Sequence, residues 1–311
     1  VLSLPSGNLQ GYEWSYIGVD DASVFGSSVK AASAYKEFWG KGGWFDSKTG
    51  GAGTEKVCSD NLFAYDKTSG RLKWTYENGM ILNTTISRDE GRVYFVESRN
   101  PAMRKLNSGR IGDAGLWSDQ FLVALDADSG KVIWDKPVDT EDGVLVFYMQ
   151  VSKHGLIVTS SRKQYHLYNF SPQDGSLRWS QVSRWPNDHH SGHIQHPVIM
   201  GDKLFLQPNG FDLRTGHQIE SRVGAREGCT TYIGSTGALI YRGRGRQVSM
   251  WDPESGKVTY WNKLRPSCWL NIITAGGLLQ IPEGGAGCSC GKWIETSLSF
   301  GPKELLGVDD E

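Results

Sequence analysis

The amino-acid sequence predicts an all-β protein, and three observations support this prediction. The 311 residues include 39 Gly, 12 Trp, 12 Tyr and 11 Phe. Aromatic residues suit pleated strands, and glycine suits the tight turns that join them. Short apolar alternations flank polar hairpins along the chain, and no helical period competes with them. A single turn phrase also recurs, which indicates that the strands belong to a repeated unit.

The repeated phrase is an apolar pair, Asp, two variable residues, Ser or Thr, and Gly, usually followed by Trp. It occurs five times, and its glycines lie 60, 45, 41 and 40 residues apart. An Asp or Ser side chain caps a tight hairpin, and Gly takes the positive φ angle. The glycines are Gly70, Gly130, Gly175, Gly216 and Gly256. Four residues further on stand Trp74, Trp134, Trp179, Glu220 and Tyr260. We expect the aromatic side chain to pack outward from its sheet.

A second hairpin precedes each copy of the phrase, and six such hairpins are present. Strand, turn, strand, connection, strand, turn and strand make a four-stranded antiparallel blade, and blades of this size stack radially as a β-propeller. The sequence therefore predicts one β-propeller domain over residues 1–311 with about six blades. We expect residues 1–4 to supply the missing fourth strand of the last blade. A longer propeller that includes this chain stays open. The expected blades lie near 13–78, 79–138, 144–182, 194–221, 229–263 and 268–308.

The segment from Val123 to Trp134, which reads Val-Ala-Leu-Asp-x-x-Ser-Gly-x-x-x-Trp, resembles the tryptophan-docking repeat of the PQQ-like β-propeller superfamily. That superfamily includes quinoprotein alcohol dehydrogenases and the outer-membrane-protein assembly lipoprotein, so the resemblance implies a fold more than an activity. The tail from Arg265 also resembles uncharacterised secreted propellers of the planctomycete type. Quinoproteins carry adjacent cysteines that stack on their quinone, and Cys288-Ser-Cys290 is a poor substitute. We therefore do not expect PQQ as a cofactor.

Four of the seven histidines lie in one connection, between the third and fourth blades. Strands alternate in direction, so this connection opens at the same end of the blades as the connections between second and third strands. His189, His190, His193 and His196 are predicted ligands for a divalent metal such as Zn, Mn, Cu or Ca. Alternatively, His189, His193 and His196 are catalytic acids or bases. A purely structural role for them stays open.

Arginines and one tryptophan fall at this same end and predict a ligand site. Guanidinium forks match carboxylate and sulfate oxygens, and a tryptophan ring can stack on a sugar. The predicted ligand-binding residues are Trp185, Arg226, Arg242, Arg244 and Arg265. The alternative is ordinary solvated charge, paired with acids such as Glu227. We expect His189, His193 and His196 to converge with Arg226, Arg242 or Arg265.

The cysteines indicate an oxidising compartment. Four of the five fall in the fifth and sixth blades and are disulfide candidates, with a thiolate metal site as the alternative. These four are Cys229, Cys268, Cys288 and Cys290, and Cys58 is left over. Disulfides would make the protein secreted or periplasmic. A net charge of -1 argues against a nucleic-acid partner, and no apolar run is long enough for a membrane span.

Three classes of function fit these patterns. The favoured hypothesis is binding of an anionic ligand such as an acidic polysaccharide, with or without lyase-like or metal-dependent cleavage. The second is a non-catalytic scaffold for a protein partner. The third is a quinone- or metal-dependent oxidoreductase. A convergent polar pocket would favour the first over the second.

Overall fold

The computed structural model describes residues 2–5, 11–33, 55–140, 147–162, 164–185, 195–220, 222–227, 230–264, 272–282 and 297–302. The chain forms two compact units, residues 1–182 and 183–311, called unit 1 and unit 2 below. Both are built from antiparallel strands joined mainly by short turns. The predicted fold class, all-β with four-stranded antiparallel blades of the β-propeller type, is confirmed.

Unit 1 contains three four-stranded blades. Blade one has the order β1-β2-β4-β5, blade two β7-β8-β10-β11, and blade three β12-β13-β14-β15. The strands are β1 (Tyr12–Val19), β2 (Ser23–Lys30), β3 (Lys56–Ser59), β4 (Asn61–Asp66), β5 (Leu72–Tyr76), β6 (Met80–Leu82), β7 (Ser87–Asp89), β8 (Arg92–Ser98), β9 (Arg110–Ile111), β10 (Gln120–Asp126), β11 (Val132–Pro137), β12 (Phe147–Ser152), β13 (Gly155–Arg162), β14 (Gln164–Phe170) and β15 (Leu177–Ser183).

The long insertions of blades one and two meet at one end of unit 1. Strand β3 follows the blade-one insertion, yet it pairs with β6 and β9, which flank blade two. Cys58 lies opposite Leu82, and Val57 lies opposite Arg110. Strand β6 in turn pairs with β8, so blade two extends into a seven-stranded sheet. The expectation that both insertions decorate the same end is confirmed for these residues.

Unit 2 contains two four-stranded blades and one sheet of three strands in its described part. Blade four is β16-β17-β18-β19, blade five is β20-β21-β22-β23, and the last sheet is β24-β25-β26. The strands are β16 (Val198–Met200), β17 (Lys203–Leu206), β18 (Asn209–Asp212), β19 (Gln218–Glu220), β20 (Ile233–Gly234), β21 (Leu239–Arg242), β22 (Val248–Trp251), β23 (Val258–Trp261), β24 (Ile273–Ala275), β25 (Leu278–Ile281) and β26 (Leu298–Phe300).

Apolar clusters form the core between successive sheets. Phe25, Phe95 and Val123 lie between blades one and two, and Leu122 and Phe147 belong to the cluster between blades two and three. In unit 2 the corresponding clusters contain Phe205 with Trp251, and Ile240 with Ile281. Each fully buried side chain of this size contributes roughly 1.5–3 kcal/mol, so the stacking of the sheets supplies most of the favourable free energy.

The turn phrase folds as its residues predict. Each of its five glycines has a positive φ, between 67° and 73°. In the first copy the Asp66 carboxylate accepts hydrogen bonds from the Ser69 amide and hydroxyl, both at 2.7 Å, and the Gly70 amide donates to the Asp66 carbonyl. These hydrogen bonds lower the pKa of the Asp66 carboxyl, with the Ser69 hydroxyl as the largest cause.

The aromatic residues after the first two turns, Trp74 and Trp134, pack sideways, which corrects the expectation that they face outward. Trp74 of blade one donates from Nε1 to the Ala127 carbonyl at 2.9 Å, and its ring covers Gly130 in the turn of blade two. Trp134 donates to the Pro172 carbonyl at 3.1 Å and covers Gly175. A flat ring fits only over a glycine, because a Cβ atom at Gly130 would lie 2.5 Å from the Trp74 ring. The phrase therefore fastens each of these blades to the next.

The predicted count of about six blades is wrong in the described part of the chain, which forms five complete blades and one three-stranded sheet. The sixth hairpin is β24-β25, and β26 is its third strand. After Phe300 the sequence has neither the turn phrase nor its aromatic residue. Residues 2–5 form no strand, so the expected closing strand is also wrong for them. Instead Leu4 packs on Phe63 and Tyr65 of blade one.

Helix is scarce in the described residues, as predicted. The only α-helix there, α1 (Pro101–Arg104), has four residues. Short 3-10 turns occur at Asn83–Thr85, Ala114–Trp117 and Arg244–Arg246. Within those same ranges, no helix has the length and apolar character that crossing a membrane requires.

Candidate functional site

The polar segments of unit 2 lie at one end of its inner strands. Gln195 and His196 stand just before β16, and Gln207 and Pro208 follow β17. Arg226 and Glu227 precede blade five, and Arg242 ends β21. Because β16 and β17 run in opposite directions, the start of one and the end of the other lie side by side. We call this the connection end of unit 2.

Gln207 joins its own segment to the segments of Gln195 and Arg226. Its side-chain oxygen accepts a hydrogen bond from Gln195 Nε2 at 3.4 Å and another from the Arg226 amide at 3.3 Å. All three residues are buried. A buried amide that links three chain segments holds them in register, since each lost hydrogen bond would leave an unsatisfied polar group. Gln207 thus fixes the position of the Arg226 backbone.

Glu227 joins Arg226 to the end of β21. Its amide donates to the Arg242 carbonyl at 2.8 Å. Its carboxylate accepts a hydrogen bond from the Gly245 amide at 2.9 Å. The 3-10 turn Arg244–Arg246 is therefore tied to the residue that follows Arg226. Arg244 is exposed on this turn, so one accessible guanidinium sits beside the two arginine-bearing segments.

The connection end buries two positive charges. Arg226 is 2% exposed and Arg242 is 0% exposed. Burial of a guanidinium carries a desolvation cost that hydrogen bonds or charge partners must offset. Buried charges are screened by salt less than exposed ones. The two buried guanidiniums belong to segments that Glu227 joins to the turn of the exposed Arg244.

His196 lies next to this network and is half-buried. Burial lowers the pKa of its imidazole to about 4, because desolvation disfavours the charged form. The ring is therefore neutral at pH 7. A neutral imidazole can hydrogen-bond a hydroxyl or ligate a metal, but with this pKa it is a weak general base.

Trp185 lies close to the network along the chain. Asn209 Nδ2 donates to Ser183 Oγ at 3.1 Å, which ties the end of β15 to the segment after Pro208. Trp185 follows Ser183 by two residues and is half-buried. The chain therefore reaches Trp185 two residues after this contact with blade four.

Several predicted site residues lie outside the described part of the chain. They are His189, His190, His193, Arg265, Cys229, Cys268, Cys288 and Cys290. The metal, acid–base and disulfide predictions for them stay predictions. Among the residues that are described, no group of three His, Cys, Asp or Glu side chains could hold a metal ion.

Cys58 is a free, fully buried thiol, as its place outside the predicted disulfide set implies. Burial raises its pKa to about 12. A thiol with that pKa is protonated at pH 7, so Cys58 is neither a nucleophile nor a ready metal ligand.

Sequence reasoning missed Gln207. It lies in the short connection after the second strand of blade four. A Gln-Pro pair at this place predicts only an ordinary turn. The usable signal was a polar side chain directly after the buried strand Lys203–Leu206. The hydrogen bond that Gln207 accepts from Gln195 joins two connections that are 12 residues apart in the chain.

These blades, their turn phrase and their stacked apolar interfaces define a repeat protein of the β-propeller class. The family model described as outer membrane protein assembly factor BamB matches residues 118–227. This match covers the last two strands of blade two and all of blades three and four. It confirms the resemblance to the PQQ-like β-propeller superfamily that the turn phrase predicted. A comparison with curated proteins found no significant match.

Solved structures with related folds are distant in sequence. An exotype rhamnogalacturonan lyase, YesX, aligns at a TM-score of 0.50 with 13% identity, over 93% of this chain and 54% of the lyase. BamB from Moraxella catarrhalis aligns at 0.49 with 14% identity, over 90% of this chain and 72% of BamB. A europium-containing methanol dehydrogenase aligns at 0.46 with 11% identity, over 91% and 65%. At these identities the likeness concerns the fold alone.

Proposed function

We propose that this chain is an extracytoplasmic PQQ-like repeat propeller that binds an anionic ligand, such as an acidic polysaccharide, at the connection end of unit 2. The observation that carries the proposal is the pair of buried guanidiniums, Arg226 and Arg242, in segments joined through Glu227. The same residue holds the turn of the exposed Arg244. The exposed Arg244 would supply the direct contact with the ligand.

Carboxylate or sulfate groups suit this arrangement better than a neutral ligand. A guanidinium presents paired N–H donors that match the two oxygens of a carboxylate. Glu227 is exposed, and its carboxylate accepts the Gly245 amide, so it adds one negative charge beside three positive ones. The summed formal charge of Glu227 and the three arginines, Arg226, Arg242 and Arg244, is therefore positive. Trp185 would add a stacking surface for a sugar ring.

Cleavage, metal binding and disulfides belong to the proposal as further steps. His196 is neutral at pH 7, which suits hydrogen bonding to the ligand or metal ligation more than proton abstraction. His189, His190 and His193 would complete a site for a divalent metal such as Zn, Mn, Cu or Ca. Pairing among Cys229, Cys268, Cys288 and Cys290 would accord with a secreted or periplasmic location.

Binding of polygalacturonate tests the proposal directly. The similarity to a rhamnogalacturonan lyase shows the fold alone and supplies only the choice of polymer. We expect polygalacturonate in the gel to retard the migration of the parent protein. This retardation should disappear as the salt concentration is raised. Fully methyl-esterified polymer is the uncharged match and should not bind. Ultraviolet absorbance of unsaturated uronate products reports any cleavage in the same samples.

Arg244→Gln should weaken binding about tenfold, as loss of one charge-assisted contact implies. The matched control is Arg214→Gln, because Arg214 is an exposed arginine of unit 2 in a turn phrase, at the opposite end of blade four. Equal losses in the two variants would leave only non-specific charge attraction. Binding of the esterified polymer as tight as that of polygalacturonate would sink the anionic-ligand proposal.

A non-catalytic interaction scaffold is the second candidate. The observation that favours it is the match of residues 118–227 to the BamB assembly-factor model. The partner would then be a protein, and the arginines would meet acidic side chains. Co-purification of one stable protein partner that Arg244→Gln releases, without any polymer binding, would put the scaffold ahead.

A further inference from the structure

Unit 2 contains a concave feature at the end of its inner strands opposite to the connection end. Three hairpins surround it, β16-β17, β20-β21 and β24-β25. The hollow has a volume of about 820 Å³, which lies in the range of small-molecule sites. Its lining consists of residues 199–201, 234–236, 240 and 274–279. We call this the hairpin hollow.

The lining of the hairpin hollow is uncharged. Its side chains are aliphatic, thioether or hydroxyl groups, and none of the residues named above is Asp, Glu, Lys, Arg or His. Ile240 is buried, whereas Leu278, Leu279 and Met200 are half-buried and so face the open space in part. A charged ligand would lose hydration here without an opposite charge to replace it. The hollow thus differs in chemistry from the arginine-rich connection end.

Two features leave room for a ligand. Gly201 and Gly276 stand in the hairpin turns with nothing within 4 Å of where a Cβ atom would be, so a ligand can approach the backbone closely there. The exposed Thr236 supplies a hydroxyl at the rim. Met200 adds a flexible side chain that adapts its shape to a bound group.

We propose that the hairpin hollow binds a small, uncharged, mainly aliphatic molecule with one polar end. The aliphatic part would cover Ile199, Met200 and Leu279. A hydroxyl or amide of the ligand would meet Thr236 at the rim. This site is independent of the anionic-ligand proposal, because it uses other residues and takes an uncharged ligand rather than an anionic one.

Nile red, an uncharged fluorescent dye, tests the proposal in the full chain. We expect saturable fluorescence on titration, and displacement of the dye by 1-octanol. Octanoate has the same chain length with a charged end and should displace the dye at least tenfold less well. Polygalacturonate should leave the signal unchanged, which separates this test from that of the connection end.

Thr274→Asp places a carboxylate in the lining and should weaken dye binding at least tenfold. Thr259→Asp is the matched control, since Thr259 is a strand threonine of unit 2 that is exposed and outside the hollow. Ala275→Trp fills the space from an exposed position and serves if Thr274→Asp unfolds.

The outcomes separate clearly. Parent-like binding by both Thr274→Asp and Ala275→Trp would overturn the proposal, and so would equal displacement by octanol and octanoate. Displacement only by an uncharged peptide, such as acetyl-Gly-Val-Leu-Val-Gly-amide, would replace the small-molecule ligand with an extended chain. Loss of dye binding in both Asp variants would point to general destabilisation and would also count against the site.

Discussion

Substitution of Gly130 by alanine tests how the blades are fastened. Gly130 has a φ of +67°, and a Cβ atom there would lie 2.5 Å from Cδ2 of Trp74. The indole cannot simply move aside, because Nε1 donates to the Ala127 carbonyl at 2.9 Å and the ring is 7% exposed. We expect the left-handed backbone to cost about 1 kcal/mol and the overpacking a further 1–3 kcal/mol.

Two other glycines allow the backbone cost to be measured apart from the packing cost. Gly256 occupies the same place in the fifth copy of the phrase with the same φ of +67°, and Gly91 of blade two has a φ of +73°. Neither has anything within 4 Å of its Cβ position. Gly256→Ala and Gly91→Ala should therefore cost only the backbone share. Chemical denaturation followed by fluorescence measures each change in the free energy of unfolding.

The reasoning would be refuted if Gly130→Ala cost no more than Gly91→Ala. A second comparison uses Trp74→Leu as the background. Removal of the indole should erase the extra cost of Gly130→Ala, leaving the backbone share alone. An unchanged extra cost in that background would place the strain somewhere other than the Trp74 ring.

Three further predictions use other features of the chain. Trp134→Phe removes the hydrogen bond to the Pro172 carbonyl and should lower the free energy of unfolding by about 1 kcal/mol, measured by denaturation; no change would mean that ring packing alone fastens blade two to blade three. The folded pKa of His196, about 4, lies below its unfolded value of 6.5, so the folded state binds fewer protons, and stability should fall as the pH drops from 6.5 to 4, by up to about 3 kcal/mol. His196→Gln should flatten that slope in denaturation series at several pH values, and an unaltered slope would assign it to other groups. Cys58, buried and protonated at pH 7, should resist iodoacetamide in the native protein and react after unfolding, as peptide mass spectrometry reads out; rapid native labelling would contradict its burial.

The repeated turn was predictable because its chemistry is local. An Asp or Ser side chain, a following Ser or Thr and a Gly satisfy one another within eight residues, so no distant contact had to be known. The sideways packing of Trp74 was not predictable in this way, since it depends on a turn that lies 56 residues further along the chain at Gly130. The blade count failed for a related reason. A first hairpin without its later turn phrase was counted as a complete blade.

The placement of the Arg226 and Arg242 segments was predictable, but the hydrogen bonds that join them to other segments were not. Strand alternation correctly brought the segments of Arg226 and Arg242 to one end, because each follows from the direction of its strand. The link through Gln207 is a tertiary hydrogen bond between two short connections, and periodicity carries no signal for it. The low pKa of His196 likewise depends on burial by neighbours, which spacing along the chain does not report.

The pairing of strand β3 couples the local unfolding of blade one to that of blade two. It lies in the chain between two strands of blade one, yet its hydrogen bonds go to β6 and β9 beside blade two. Backbone amides of β3 and β6 can exchange with solvent only when this junction separates, and separation disturbs both blades. Hydrogen exchange should therefore report blades one and two as a single opening unit, with shared protection at Cys58 and Ile81, rather than as two independent modules.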